Sequence, residues 1–180
     1  MAEDMEQGFI DRLRSLPIPR ASVLAARALA DTALVAWSTA FTAAIAFAVG
    51  FGLHGSALDG LAAFGLVVLF AFAFEWLFIT MGMFAGNPQA AQGMGLIVFP
   101  LAFVSSAYVP VSSMPGWLQA FANHQPLTYM VDAVRSLTLG SHAHALLGHP
   151  SSYYITRALI WTLAILAISL PLAVAKYRRG

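Results

Sequence analysis

The sequence predicts an all-α, polytopic membrane protein with four transmembrane helices. Of its 180 residues, 59% are hydrophobic and only 9% are charged, whereas an ordinary soluble domain is about 45–50% apolar and about 25% charged. The mean hydropathy is +0.76, and uncharged apolar runs of roughly the length that crosses a bilayer recur along the chain. The chain therefore lacks the polar surface of a water-soluble globule.

The positions of the four predicted spans follow from the long stretches of sequence that contain few or no charged residues. The first apolar run lies between Asp31 and Asp59, and the second is interrupted by the single acid Glu75. A Gly-Asn-Pro-Gln turn then breaks the helix, because proline lacks a donor N–H and the residue before it avoids the α region. In chain order, the predicted spans are residues 33–53, 61–84, 94–111 and 158–175.

The distribution of cations predicts the orientation of the spans. Four arginines precede the first span, and one lysine and two arginines close the chain: Arg12, Arg14, Arg20 and Arg27, then Lys176, Arg178 and Arg179. Cytoplasmic segments of membrane proteins are enriched in Lys and Arg. We therefore expect a multi-pass protein of the cell membrane with both termini cytoplasmic and residues 112–155 external, which agrees with an even number of crossings.

Residues 5–16 predict an amphipathic cytoplasmic helix. Apolar side chains recur at helical spacing, charged side chains occupy the other faces, and the following Pro-Ile-Pro ends the pattern. The apolar stripe includes Phe9, Leu13 and Leu16, and the charged faces include Arg12 and Arg14.

Residues 115–139 predict one or two short helices, broken at Pro126, in the external segment. At about ten residues each, these helices are too short to span a bilayer and are typical of interfacial or re-entrant segments. Trp117 and Tyr129 can place aromatic rings with a polar edge at the level of the lipid headgroups.

Composition and motifs exclude several kinds of function. The absence of cysteine excludes disulfides and thiolate metal sites, and the few cations do not cluster as a nucleic-acid-binding face requires. No GxxxxGK[ST] motif occurs, so the chain itself has no P-loop for ATP. The acidic first residues lead to no apolar core at signal-peptide distance, so we expect no cleavable signal.

Glu75 is the one acid inside a predicted span. A carboxylate at that depth must face protein or water, find a partner or take up a proton. Two interpretations stay open: a site linked to substrate or protons, and a hydrogen-bonded packing residue facing another helix. We favour packing, because no cation within the spans completes a relay.

The histidines do not predict a metal centre or a catalytic site. His142, His144 and His149 have no acid or cysteine beside them to complete a ligand set. His124 lies near Asp132 in sequence, but nothing places a nucleophile on a strained turn beside them. We therefore expect no cofactor, no metal and no catalytic residue.

Four sequence blocks occur in order across nearly the whole chain. They are Glu-Gln-Gly-Phe with Arg-Leu-Arg-Ser-Leu-Pro (residues 6–9 and 12–17), Gly-Asn-Pro-Gln (86–89), Pro-Leu-Ala-Phe-Val-Ser-Ser with Pro110 and Met-Pro-Gly-Trp (100–117), and Asn-His-Gln-Pro-Leu-Thr-Tyr with Asp132 and Arg135 (123–135). With this spacing the chain resembles the permease subunits of type-2 ABC exporters, most closely the daunorubicin-resistance-like drug-efflux permeases of actinobacteria.

The resemblance implies a single membrane domain, residues 1–180, that pairs with a separate cytoplasmic ABC ATPase and dimerises with itself or a sister permease in the lipid bilayer. In the family, an amphipathic element before the third span docks on the ATPase, and short re-entrant helices follow the fifth span on the outer side. These roles map onto residues 1–20 and onto residues 115–139. The coupling residues would be Phe9, Arg12, Leu13, Arg14 and Leu16, and the re-entrant segment would use Trp117, Tyr129, Asp132 and Arg135.

The implied function is that of a permease subunit of an ATP-driven exporter of a hydrophobic or amphipathic compound, a drug or a lipid. Family members usually have six spans, so the first two are expected to be absent here and the span at residues 33–53 would match the family's third. The alternative is a truncated, non-transporting assembly or regulatory subunit that packs against a full-length permease. A membrane-embedded enzyme ranks third, because the spans contain one acid and no histidine cluster.

Overall fold

The computed structural model describes residues 20–85, 87–96 and 98–179, and the regular structure of this part of the chain is helical, without strands. The predicted all-α class is thereby confirmed. The predicted helix at residues 5–16 lies outside the described residues. In chain order the helices are α1 (Arg20–Ala48), α2 (Ala57–Phe84), α3 (Pro88–Leu96), α4 (Val98–Phe103), α5 (Gly116–Ala122), α6 (Pro126–Leu139), α7 (Ser141–Leu147) and α8 (Ser151–Arg179), with a 3-10 turn at Val111–Ser113 before α5.

Three of the described helices are long and apolar enough to cross a membrane: the segments Leu24–Ala48, Ala57–Phe84 and Ser151–Tyr177. They overlap the predicted first, second and fourth spans. α1 ends before the predicted boundary at residue 53, because the chain turns at Gly50, whose φ of 103° is a conformation that glycine adopts most readily.

The predicted third span, residues 94–111, is helical only in its first part. Its described residues are helical as far as Phe103, in α3 and α4, and the chain makes turns from residue 104 to residue 110. This apolar helical region is shorter than the roughly 20 residues that a crossing needs. The crossing at residues 94–111 therefore stays a prediction, whereas the other three are helices of sufficient length.

Short helices occupy the predicted external segment, with the break at Pro126 that the sequence predicts. α5 ends before Pro126, and α6 begins with it, at the position where the missing N–H costs no hydrogen bond. Half of α6 is buried, so it packs into the bundle on one face. Its buried residues are Thr128, Tyr129, Met130, Asp132, Ala133, Ser136 and Leu137.

The core lies around α2 and consists of two apolar clusters. One joins the start of α1 to the ends of α2 and α8, and we call this end of the bundle the basic end. The other joins α2, α6 and the first half of α8. The basic-end cluster is Leu24, Ala28, Trp76, Ile79, Met83, Ala173 and Tyr177, and the second is Leu66, Phe70, Tyr129, Met130, Ala133, Tyr154 and Ala158.

Many small apolar side chains of the bundle are buried and many large ones are exposed, which is the reverse of the pattern in a soluble protein. Many of the fully buried apolar residues are alanines, among them Ala28, Ala73, Ala133, Ala158 and Ala173, each with 0% exposure. Large apolar side chains on the long helices point outward, including Trp37, Phe41, Leu61, Leu163 and Ile168. Helices in lipid associate through close packing of small residues, because lipid solvates large apolar side chains as well as protein does.

Buried hydroxyl groups are satisfied mainly within their own helices. Thr32, Thr162 and Ser169 each donate to the carbonyl oxygen four residues earlier, at 2.6–2.7 Å. Thr80 Oγ1 lies 2.7 Å from the Trp76 carbonyl oxygen and 2.9 Å from that of Ser169, so its proton can link α2 to α8. These bonds let polar side chains occupy apolar positions without leaving a donor unpaired.

The opposite end of the bundle, which we call the loop end, is held by a backbone contact. The amide of His54 in the α1–α2 loop donates to the carbonyl oxygen of Thr138 near the end of α6, at 2.9 Å. Gly140 follows with φ +57° and ψ −130°, and a Cβ there would lie 2.9 Å from the His54 carbonyl oxygen. The close approach of the two segments therefore requires glycine at position 140.

We expect Gly140→Ala to lower the free energy of unfolding by about 1–3 kcal/mol, because it forces a side chain into a strained conformation against backbone atoms. Gly65→Ala on α2 is the matched control, since a Cβ there meets nothing within 4 Å and alanine favours the helix. Thermal unfolding in detergent micelles measures both variants. Equal midpoints for Gly140→Ala and the unmodified protein would contradict the role assigned to this glycine.

Candidate functional site

The candidate site residues fall into three regions of the chain. The coupling residues Phe9, Arg12, Leu13, Arg14 and Leu16 lie outside the described residues, so their role stays a prediction. Glu75 lies on α2 towards the basic end, and the remaining candidates lie on α5 and α6.

Glu75 is partly buried on α2, beside Trp76 of the basic-end cluster. Asp31 and Arg27 of α1 lie close enough to Glu75 to interact with it electrostatically. Arg27 and Asp31 form an ion pair at 2.8 Å, one helical turn apart. Arg27 and Asp31 precede the predicted first span, so the absence of cations inside the spans does not leave Glu75 without charged neighbours.

Trp117 and Tyr129 have different surroundings, although the sequence suggested the same role for both. Trp117 is 76% exposed at the start of α5, as an aromatic ring at a membrane boundary requires. Tyr129 is 6% exposed and packs within the second cluster, with its ring 6.3 Å from that of Tyr153 on α8. Tyr129 therefore belongs to the contact between α6 and the bundle rather than to a surface.

Asp132 and Arg135 are brought together with Ser106, and we call these three residues the Asp132 cluster. Ser106 Oγ donates to Asp132 Oδ1 at 2.7 Å, and Arg135 Nη1 donates to the same oxygen at 2.9 Å. Arg135 Nη2 donates to the Ser106 carbonyl oxygen at 3.0 Å. The cluster therefore ties the chain that follows α4 to one face of α6.

Burial and hydrogen bonding act in opposite directions on the Asp132 carboxyl. Asp132 and Ser106 are each 7% exposed. Burial raises the pKa of Asp132, because it penalises the charged form, and the Ser106 hydrogen bond and the Arg135 charge oppose that rise. The partly exposed Arg135 guanidinium supplies the counter-charge that a buried carboxylate needs.

A second side chain links the same two segments. Gln125, 4% exposed just before α6, donates from Nε2 to the Leu101 carbonyl oxygen of α4 at 3.1 Å. Sequence reasoning missed Ser106 and Gln125 as functional candidates. The signal for Ser106 was a pair of serines in an otherwise apolar run, but its partner lies 26 positions away.

The contacts of the Asp132 cluster connect two segments of the chain. Within the described ranges, no group of three or more His, Asp or Glu side chains gathers closely enough to hold a metal ion. The Asp132 cluster contains a buried ion pair and a hydroxyl already engaged as a donor, with no activated nucleophile. What it can do is fix the position of α6 against the segment after α4.

The family match and the similar proteins agree in pointing to ABC transporter permeases. Residues 1–139 match the model of the ABC-2 type transporter family. The chain is 32% identical over 139 residues to the daunorubicin resistance ABC transporter permease protein DrrB1 of Streptomyces coeruleorubidus, covering 77% of this chain and 49% of that protein. It is 28% identical over 174 residues to a probable doxorubicin resistance ABC transporter permease protein, DrrC, of Mycobacterium tuberculosis, covering 96% of this chain and 60% of the relative.

A more distant relative is the putative transport permease ycf38 of Pyropia yezoensis, 27% identical over 137 residues, which cover 74% of this chain and 46% of that protein. The chain thus spans about half the length of these curated relatives. No solved structure matches it. Because the family match covers most of the chain and the described helices include three able to cross a membrane, the chain belongs to the ABC-2 type transporter family of membrane permeases.

Proposed function

We propose that this chain is the membrane permease subunit of an ATP-driven exporter that moves a hydrophobic or amphipathic compound out of the cell. The observation that carries the proposal is its 32% identity, over 77% of its length, to a permease named for daunorubicin resistance. The chain contains no P-loop. In this proposal the energy comes from a separate cytoplasmic ABC ATPase, and a second copy or a sister permease completes the assembly.

The basic end is proposed to face the cytoplasm and the ATPase. The last turns of α2 and α8 meet there, where Lys176 Nζ lies 5.2 Å from the centre of the Phe84 ring. The basic-end cluster packs the start of α1 against both helices. A push delivered to α1 through residues 1–20 would therefore move the ends of three helices as one unit, and the Lys and Arg excess there supports the orientation.

The first test measures transport directly. Cells that express the chain together with its cytoplasmic ABC ATPase should accumulate less daunorubicin than cells with the chain alone or the ATPase alone. If efflux occurs only when a longer permease is also expressed, the alternative of a non-transporting subunit is favoured. If the chain is inserted in the membrane and none of these combinations lowers the accumulation of daunorubicin, the exporter assignment is contradicted.

Leu13→Glu tests the coupling segment. Helical spacing places Phe9, Leu13 and Leu16 on one apolar stripe, and a charge there opposes burial against a partner at a cost of a few kcal/mol. We expect Leu13→Glu to abolish co-purification of the ATPase and efflux, while the protein still inserts through its spans. Ser15→Glu, on the opposite face of the same predicted helix, should retain both. Retention of both by Leu13→Glu would refute the coupling role.

At the loop end, we propose that the Asp132 cluster holds α6 in place during transport, as part of the outer segment predicted at residues 112–155. Tyr129 and Met130 share a buried cluster with Phe70, which lies 13 residues, or about 20 Å, from the start of α2. α6 therefore extends from well inside the bundle to the loop end, as a re-entrant helix does. The bonds from Asp132 and Arg135 to Ser106 would couple the segment after α4 to a movement of α6.

We expect Arg135→Gln to lower the free energy of unfolding by about 1–3 kcal/mol, because it leaves the buried Asp132 carboxylate without its counter-charge. Adding Asp132→Asn should recover part of that loss, since the charge that needed a partner is removed. Arg157→Gln is the control, because Arg157 lies over the Tyr153 ring on α8 and forms no ion pair with Asp132. Thermal unfolding of the unmodified protein, the single variants Arg135→Gln and Asp132→Asn, the double variant and the Arg157→Gln control measures the coupling. Strictly additive losses in the double variant would contradict the ion-pair role.

A further inference from the structure

Arg157 is a charged side chain on an outward-facing surface of α8. It lies six residues after the first residue of the helix, about 9 Å from the loop end. It is exposed, as are Ile160 and Trp161 one turn further along the same face. Among the described residues it forms no ion pair with a carboxylate. A guanidinium in this position needs an anion or water, because hydrocarbon cannot solvate its charge.

The side chain of Arg157 reaches toward the loop end. Its Cζ lies 5.4 Å from the centre of the Tyr153 ring, which is one turn nearer the start of α8. Long side chains on a helix point toward its N-terminus, and an arginine near a membrane boundary can use this direction to bring its charge to the lipid headgroups. The guanidinium is therefore at the level of the first turn of α8.

Tyr153 is a fixed platform beneath this guanidinium, because it is held in a cluster of rings. His149 stacks on it with ring centres 4.5 Å apart, the Tyr154 ring meets it edge-on at 5.2 Å, and the Tyr129 ring of α6 lies 6.3 Å away. An aromatic face attracts a cation, and the Arg157 guanidinium donates no hydrogen bond within the described ranges. Its five N–H donors are thus available for an anion.

An apolar cleft of about 510 Å³ opens beside the same face, between α4, α5, the start of α6 and α8. Trp161 forms its wall on α8, Leu101 its wall on α4 and Phe121 its wall on α5, and the surface inside is almost wholly apolar. Trp161 lies eight residues beyond Tyr153, or about 12 Å along the helix. The headgroup region of a bilayer is only about 5–8 Å thick on each side, so the cleft lies at the depth of the acyl chains.

We infer that Arg157 and this cleft together form a binding site for a resident phospholipid, with the lipid phosphate on the guanidinium and one acyl chain in the cleft. A guanidinium binds two phosphate oxygens through parallel hydrogen bonds, and an apolar cleft suits a hydrocarbon chain. The charge and the apolar volume occur in the order, and about the spacing, in which a phospholipid carries its phosphate and its acyl chains. Because Arg157 has no carboxylate partner among the described residues, an anionic lipid such as phosphatidylglycerol fits better than a zwitterionic one.

The lipid at this site stays in place and is not the transported compound. A free phosphate would use only Arg157, and a bare hydrocarbon would use only the cleft, whereas a phospholipid uses both. The inference goes beyond the proposed function and does not depend on it, since it concerns the attachment of the loop end to the surrounding bilayer leaflet.

Native mass spectrometry of the full chain, extracted in a neutral detergent and titrated with phosphatidylglycerol, tests the inference. We expect one tightly bound lipid per chain. Arg157→Gln should weaken its binding at least fivefold, and Arg157→Lys, which keeps the charge but loses the planar fork, should weaken it less. Lys176→Gln is the matched control, because Lys176 also lies on α8 over an aromatic ring, that of Phe84, at the opposite end of the bundle. It should bind the lipid within twofold of the unmodified protein.

A second pair of variants tests the cleft in the same titration. Ala120→Phe fills the cleft from α5 and should also weaken binding at least fivefold. Ala40→Phe, at an exposed position of α1, is its control and should bind within twofold of the unmodified protein. Glycerol phosphate carries the charged group without acyl chains, so it should not displace the lipid.

Several outcomes would overturn the inference. They are unchanged affinity in the folded Arg157→Gln or Ala120→Phe variant, equal losses in the matched controls, displacement of the lipid by glycerol phosphate, and a chain that carries no lipid because a second copy covers this face of α8. Efflux plays no part in these measurements. A chain that binds the lipid through Arg157 and the cleft but supports no ATP-driven efflux would contradict the proposed function alone.

Discussion

Close approach of helices through small residues is the constraint on which the rest of this structure depends. In lipid, burying a leucine between helices gains little, because the hydrocarbon chains solvate it equally well. The helices are held instead by dispersion contacts and hydrogen bonds that act only at short range. Fully buried alanines on α1, α2, α6 and α8 allow that approach, and Ala133 and Ala158 do so in the cluster that seats α6 against α2 and α8.

The two ends of the bundle are built differently. At the basic end, three long helices share one apolar cluster. At the loop end, the short helix α6 packs against α2 and α8 in the second cluster, and specific bonds tie it to the neighbouring segments, those of the Asp132 cluster, the Gln125 amide and the backbone at His54. Under the proposed function, the basic end would receive the motion and the loop end would change the access of a compound.

Much of the fold can be predicted from the sequence, because the thickness of a bilayer sets the length of a transmembrane helix and its hydrocarbon core excludes charged side chains. The apolar runs near α1, α2 and α8 were therefore predictable, and so was the break at Pro126. Residues 94–111 were harder, since the chain turns from residue 104 onward although the apolar composition continues to residue 111. Asp132 and Arg135 were recognised from a motif, but their link to Ser106 and the burial of Tyr129 depend on how distant segments pack, which no local pattern encodes.

The central claim is that the basic end faces the cytoplasm and the loop end faces outward. The chain has no cysteine, so single cysteines at Ser141 and Gln89, both exposed in the structure, report on one end each. A membrane-impermeant maleimide added to intact cells should label Ser141→Cys at once and Gln89→Cys only after the membrane is opened. The reverse pattern, or labelling of both positions in intact cells, would contradict the account.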